Sequence, residues 1–169
     1  MLVQNHKMVK EPEIRYMEIV VAANKEHWAT ARTLIQEYVD WLGIDLSYQN
    51  YESEFNGLEQ MYSPPAGLLL LAQGKDRTAG CVAFREKGKL RCEMKRLYVR
   101  PDFRGLQLGK KLAEHCIEEA RLAGYKEMVL DTLPSMQGAL RIYKNLGFQT
   151  ISPYYNNPVP DVIYLGLDL

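Results

Sequence analysis

The stretch from Lys95 to Leu112, KRLYVRPDFRGLQLGKKL, limits what the chain can fold into more than any other. Its first residues read as the end of a strand, Pro101 forces a turn, and Gly105 and Gly109 punctuate a loop. Leu106, Leu108, Leu112, Ala113, Cys116, Ile117 and Ala120 then recur at helical spacing as far as Gly124. A strand, loop and helix in direct succession gather the first free backbone N–H groups of the helix at one point, where the helix dipole also favours a phosphate. Gly105 lets the loop bend tightly, Gly109 lets a pyrophosphate approach the first turn, and Arg104, Lys110 and Lys111 add cationic donors. A Gly-rich βα turn without a ligand has the same pattern, so the spacing alone leaves both readings open. The stretch lacks a Gly-Lys-Ser/Thr ending and is therefore no P-loop. It also lies mid-chain after antiparallel strands, unlike a dinucleotide fingerprint.

The rest of the chain supplies the elements around this unit. Tyr16 to Ala23 is rich in β-branched residues and partly alternates, which predicts a first strand. Asn24 offers an N-cap, and Trp28, Ala31, Leu34, Ile35, Tyr38, Val39 and Leu42 predict an amphipathic helix over Ala29 to Leu42, ending near Gly43. Ser47 to Tyr62, with Tyr51, Phe55, Leu58 and Met61 on one side, predicts a second helix stopped by Pro64 and Pro65. Gly67 to Gln73 and Thr78 to Arg85 flank the turn Gly74-Lys75-Asp76-Arg77, and a second turn at Lys87-Gly88-Lys89 leads into Leu90 to Val99, giving three successive antiparallel strands. After the long helix come a strand over Glu127 to Thr132, a helix over Ser135 to Leu146, and strands over Gly147 to Ile151 and Pro160 to Asp168. The order is β-α-α-β-β-β-α-β-α-β-β.

At 169 residues and 47% apolar, the chain suits one domain over residues 13–169, preceded by a mobile arm over residues 1–12 that carries no periodicity. Lys plus Arg equals Asp plus Glu, 21 of each, so no net field steers it to nucleic acid or an anionic membrane. The longest apolar run, Ala66 to Ala72, is far too short for a membrane span. Cys81, Cys92 and Cys116 lack metal-type spacing and sit in apolar stretches, where reduced thiols pack as small hydrophobes. No leader or anchor is read, and a cytoplasmic location without a metal is expected. His6, His27 and His115 have no partner at catalytic spacing and read as structural.

The phosphate-type loop Arg104-Gly105-Leu106-Gln107-Leu108-Gly109 resembles the Arg/Gln-x-x-Gly-x-Gly/Ala signature of the GNAT superfamily of N-acetyltransferases, with Gln107 in place of the first Gly. Leu97-Tyr98-Val99-Arg100-Pro101 is similar to the family's preceding strand, and the segment from Ala139 to Phe148 is similar to its Ala-x-x-x-Tyr-x-x-x-Gly-Phe box. The resemblance implies an α/β fold: a mixed, mostly antiparallel central sheet of about seven strands, flanked by about four helices and splayed between the fourth and fifth strands. It further implies coenzyme A wedged in that splay. Backbone groups of Leu97, Tyr98 and Val99 would run along the pantetheine, and Arg104, Gly105, Leu106, Gln107, Leu108, Gly109 and Lys110 would surround the pyrophosphate.

The implied activity is transfer of an acetyl group from acetyl-CoA to a primary amine, directly in a ternary complex. Such a reaction needs one group to take the proton of the amine and one to meet the leaving thiolate. By resemblance the second is Tyr143, which without the neighbouring motif reads as a helix tyrosine packed on the sheet. Glu93 sits where some branches of the family carry a glutamate base acting directly or through water; it reads equally as a solvent-facing strand carboxylate paired with Lys95 or Arg91. The partner is a small-molecule or peptide amine, nucleic acid and membrane are not expected, and a homodimer is left open. An acyl-CoA-binding sensor without turnover, or an interaction module that keeps only the fold, are the alternatives. The acceptor pocket should come from the first two helices and the loop Tyr154 to Pro158, where Tyr48, Tyr51, Tyr154 and Tyr155 read either as an aromatic pocket or as packing.

Overall fold

The computed structural model describes residues 16–169; the expected arm over residues 1–12, with His6, lies outside them. Strand β1 (Glu18–Val21) leads into helix α1 (Lys25–Leu42). The Asn24 side chain caps that helix by accepting the His27 N–H at 2.9 Å, and Gly43 closes it in the left-handed conformation at φ 65°. The single helix expected over Ser47 to Tyr62 is instead a 3₁₀ turn (Ser47–Gln49) followed by two short helices, α2 (Tyr51–Asn56) and α3 (Leu58–Met61). Asn50, left-handed at φ 55°, and Gly57 interrupt it, neither of which carries a helix cheaply. Strands β2 (Gly67–Gln73), β3 (Thr78–Glu86) and β4 (Arg91–Val99) follow, then helix α4 (Leu108–Leu122), strand β5 (Glu127–Thr132), helix α5 (Gln137–Asn145), the two-residue strand β6 (Gln149–Thr150) and strand β7 (Ile163–Asp168).

The strands form one seven-stranded sheet in the order β1-β2-β3-β4-β5-β7-β6, antiparallel except between β4 and β5. Both faces of the sheet are covered, which is why β2 is apolar and buried from Gly67 to Ala72 instead of alternating. Leu68, Leu70, Val82, Phe84 and Met94 pack against Leu112, Cys116 and Ile117 of α4. On the opposite face Leu69, Leu71, Cys81 and Ala83 meet Trp28, Leu34 and Ile35 of α1 together with Leu58 and Tyr62. Each fully buried leucine contributes about 1.5–3 kcal/mol. The three cysteines are free and buried, as expected of small packing residues.

Two irregularities in β4 open the sheet. The β3–β4 register slips between Cys81↔Tyr98 and Ala83↔Lys95, so β4 carries an extra residue, and Arg96 there adopts φ 59°. The parallel pairing of β4 with β5 is confined to Arg91↔Glu127, Cys92↔Met128 and Glu93↔Val129. Beyond Glu93 the two strands part, which is the splay expected between the fourth and fifth strands.

Candidate active site

The parted strands enclose a cavity of about 60 Å³, walled by Lys95, Arg96 and Leu97 of β4, Leu130, Asp131 and Thr132 of β5, Tyr38 of α1, Gln49 of the 3₁₀ turn, Tyr143 of α5, and Asn157. The free edge of β4 faces into the gap. Arg100 donates its backbone N–H to Ala79 on β3 at 2.8 Å. By the period-two alternation of a strand, the N–H and C=O of Val99 point the other way, as do those of Leu97. The Val99 carbonyl accepts a hydrogen bond from Arg104 Nε at 2.9 Å, while the Arg104 guanidinium stacks on the Trp41 ring at 4.7 Å. The Tyr98 side chain belongs to the core beneath α1.

The loop after β4 delivers α4 to the mouth of this gap. Gly105 has φ 80°, and Gln107, the N-cap residue of α4, has φ 60° and ψ 12°. The departure of Gln107 from the glycine signature therefore leaves the backbone where a glycine would put it, in the left-handed region, at a strain of about 1 kcal/mol. Leu106 packs at the border of the core and Leu108 within it, anchoring the loop from below. A Cβ on Gly109 would lie 3.1 Å from Ile142 Cδ1 and 3.7 Å from Val99 Cγ2, so the first turn of α4, the end of β4 and α5 meet at that residue. Lys110 is exposed and lies 3.6 Å from Glu114.

Tyr143 is buried, its ring edge-on to Phe148 at 5.6 Å, yet it also lines the cavity. Tyr143 therefore packs on the sheet and at the same time lines the gap. Burial raises its hydroxyl pKa, so it stays protonated and able to donate. Glu93 is different from either of its simple sequence readings. It is 1% exposed rather than solvent-facing, and its partner is neither Lys95 nor Arg91. Arg85 Nε donates to Glu93 Oε2 at 3.0 Å and the Tyr154 hydroxyl to Oε1 at 2.9 Å, while Arg91 pairs with Glu127 at 2.6 Å. Burial opposes the Glu93 charge, but Lys95, Arg85 and Lys87 outweigh it and hold the carboxyl below its ordinary value.

Lys95, Asp131 and Gln49 also line the cavity, and no motif in the sequence marks them as site residues. Lys95 Nζ donates to Gln49 Oε1 at 3.3 Å, and burial, then Arg96, lowers its pKa to about 8. Asp131 Oδ2 accepts from the Tyr155 hydroxyl at 2.7 Å and from Asn157 Nδ2 at 3.0 Å. The expected tyrosines divide. Tyr48 lines the cavity, Tyr51 lines a separate hollow beside α2, and Tyr154 and Tyr155 tie the loop down onto Glu93 and Asp131. Alternating polar residues on β4 were the available signal for Lys95, but a strand alternation does not say which face holds a site. His27 and His115 bond only to local backbone groups. Among the described residues no three His, Cys, Asp or Glu side chains are grouped to hold a metal, and no helix is long and apolar enough to cross a membrane.

The model of the acetyltransferase (GNAT) family matches residues 28–148, which include the splayed strands, the loop into α4 and Tyr143. The chain belongs to the GNAT acetyltransferase family. An uncharacterised N-acetyltransferase of Schizosaccharomyces pombe is 46% identical over 140 residues, covering 82% of this chain and 86% of that protein. An IAA acetyltransferase of Azospirillum brasilense is 33% identical, covering 72% of this chain and 78% of its own length. Among solved structures, an acetyltransferase from Streptococcus agalactiae superposes with a TM-score of 0.76 at 24% identity, over 92% of this chain and 99% of that one. A Salmonella typhimurium protein solved with acetyl-CoA superposes with a TM-score of 0.68 at 20% identity, over 90% and 93%. The GNAT match ends before the loop from Tyr154 to Asn157, so the part of the cavity that loop covers lies outside the shared region.

Proposed function

We propose that this GNAT protein moves an acetyl group from acetyl-CoA to a primary amine by direct transfer in a ternary complex. The observation that carries the reading is the gap between β4 and β5: a free strand edge on one side, a phosphate-type loop and helix N-terminus at its mouth, and a protonated tyrosine on its wall. The residues fit the coenzyme. Leu97 and Val99 offer backbone donors and acceptors to an extended amide chain, as an added strand does. The backbone N–H groups of the loop and of the first turn of α4 suit a pyrophosphate. Acetyl-CoA supplies an acetyl group activated as a thioester. The structure of the Salmonella relative with acetyl-CoA supports the same choice here.

In this reading the amine nitrogen bonds to the acetyl carbon as the carbon–sulfur bond breaks. Tyr143 gives its proton to the departing sulfur, and the proton lost by the amine travels to Glu93 through water and restores the tyrosine. The engaged, low-pKa Glu93 is a weak base, so it suits a relay better than direct abstraction. Tyr143→Phe keeps the ring and its packing, and turnover should fall about 10²–10⁴-fold with acetyl-CoA affinity nearly unchanged. Parent-level turnover in that variant, with chemistry rate-limiting, would leave Tyr143 a packing residue. Glu93→Gln in the same assay should lower turnover less than Tyr143→Phe, because the relay keeps its waters; an equal or larger loss would make the carboxylate the direct base.

A further inference from the structure

The two walls of the cavity carry opposite charges, and the cation on one of them, Lys95, makes no direct ion pair among the described residues. Lys95 on β4 is 8% exposed, and its ammonium makes one hydrogen bond among the described residues, to the neutral amide of Gln49 at 3.3 Å. The carboxylates on either side of it are matched elsewhere, Glu93 by Arg85 at 3.0 Å and Glu54 by Arg96 at 2.7 Å. Glu93 and Glu54 act on Lys95 only at a distance, and a single long hydrogen bond to an amide replaces little of the hydration a buried ammonium loses. Across the gap Asp131 receives Tyr155 and Asn157 on Oδ2, leaving Oδ1 without a partner among the described residues. Lys95, Asp131 and Tyr143 line the same cavity.

Resting on the acyl-transfer reading, we propose that the acceptor is a small amino carboxylate, its carboxylate held by Lys95 and its amine facing Asp131 beside Tyr143. The charge pattern separates this class from the other amines. A polyamine would bring a second ammonium against Lys95, and a neutral amine would leave Lys95 without a direct ion pair. A phosphate calls for several donors or an Arg fork, and the neighbouring Arg96 is already committed in a bidentate pair with Glu54. The Gln49 turn and the loop carrying Tyr155 and Asn157 meet at the cavity, Gln49 Nε2 donating to the Tyr155 hydroxyl at 3.4 Å, which suits a small molecule over a peptide.

The test is calorimetric titration of the protein saturated with a non-transferable acetyl-CoA analogue. The probes are the proteinogenic amino acids, β-alanine and γ-aminobutyrate, each beside its carboxamide and beside aminoalkyl phosphates of equal length. At least one amino carboxylate should bind at least about 10²-fold more tightly than its carboxamide. Lys95→Met should erase that preference while leaving carboxamide and coenzyme affinities unchanged, and a melting temperature no lower than the parent's certifies its fold. Equal or better binding of the carboxamides or phosphates, no binding of any amino carboxylate, or an undiminished preference in Lys95→Met would overturn the proposal. Thiol release with the same compounds and acetyl-CoA reports on the enzyme reading separately. Carboxylate preference without thiol release contradicts turnover and leaves the site standing; thiol release from neutral amines without carboxylate preference does the reverse.

Discussion

Two buried charges on adjacent residues of β4 show how differently the same burial acts on paired and unpaired groups. Arg96 lies in a bidentate pair with Glu54 at 2.8 and 2.7 Å, and the Tyr62 hydroxyl donates to the same carboxylate at 2.7 Å. Burial alone would raise the Glu54 pKa, but Arg96 outweighs it and holds the carboxyl at about 2 against its ordinary 4.5. A carboxylate depressed on folding contributes stability that is complete above 4.5 and is lost as pH falls toward 2. Glu54→Gln leaves Arg96 charged and buried, so it should lower unfolding free energy at pH 7 by about 3–5 kcal/mol, and urea midpoints of the variant should then change less than the parent's across that acid window. A parent and variant with parallel acid profiles would contradict the pair's role. Lys95 has the opposite sign. Its folded-state pKa of about 8 lies below 10.5, so the unfolded chain binds more protons between those values and stability rises with pH there. Lys95→Met should therefore stabilise the protein at pH 7, by on the order of 2 kcal/mol, and the gain should shrink as pH climbs from 8 to 10.5. A gain that is flat with pH would place the cause in packing instead of charge.

At the scale of elements, the strand–loop–helix unit joins sequence to site most directly. Gly109→Asp tests it: the new Cβ crowds only the flexible end of Ile142, with Val99 at ordinary contact distance, and a carboxylate at the first turn suits the helix dipole, so the fold should persist. Acetyl-CoA affinity should drop about 10–100-fold through repulsion of the pyrophosphate, read by calorimetry. Unchanged affinity in a folded variant would move the phosphates elsewhere. This unit was legible in the sequence because its glycines, prolines and helical repeat act locally. The order of elements was legible for the same reason. The break at Asn50 was not, since asparagine takes the left-handed conformation only on occasion, here with its N–H closing the 3₁₀ turn on Ser47 at 3.0 Å, and no proline or glycine marks the position. The extra residue of β4 and the pairing of Glu93 with Arg85 were hidden for a related reason: both depend on which strand lies alongside. Tyr143 stands out through its motif, whereas Lys95 and Asp131 come to line one cavity only because β4 and β5 part.

At the scale of the whole molecule, a sheet buried on both faces parts between its two parallel strands, and the parting is where a coenzyme and an acceptor would meet. The pairing that ends at Glu93, the helix start at Leu108 and the wall tyrosine at position 143 converge on one gap although they come from separate stretches of chain. Acyl transfer in that gap is the proposed reaction. Mixing the protein with acetyl-CoA and a panel of primary amines, and following free thiol together with N-acetylated product, tests it most directly. At least one amine should release thiol and yield its N-acetyl derivative mole for mole, with the rate collapsing in Tyr143→Phe. Acetyl-CoA left intact with every amine, or thiol released without an acetylated amine, would contradict it.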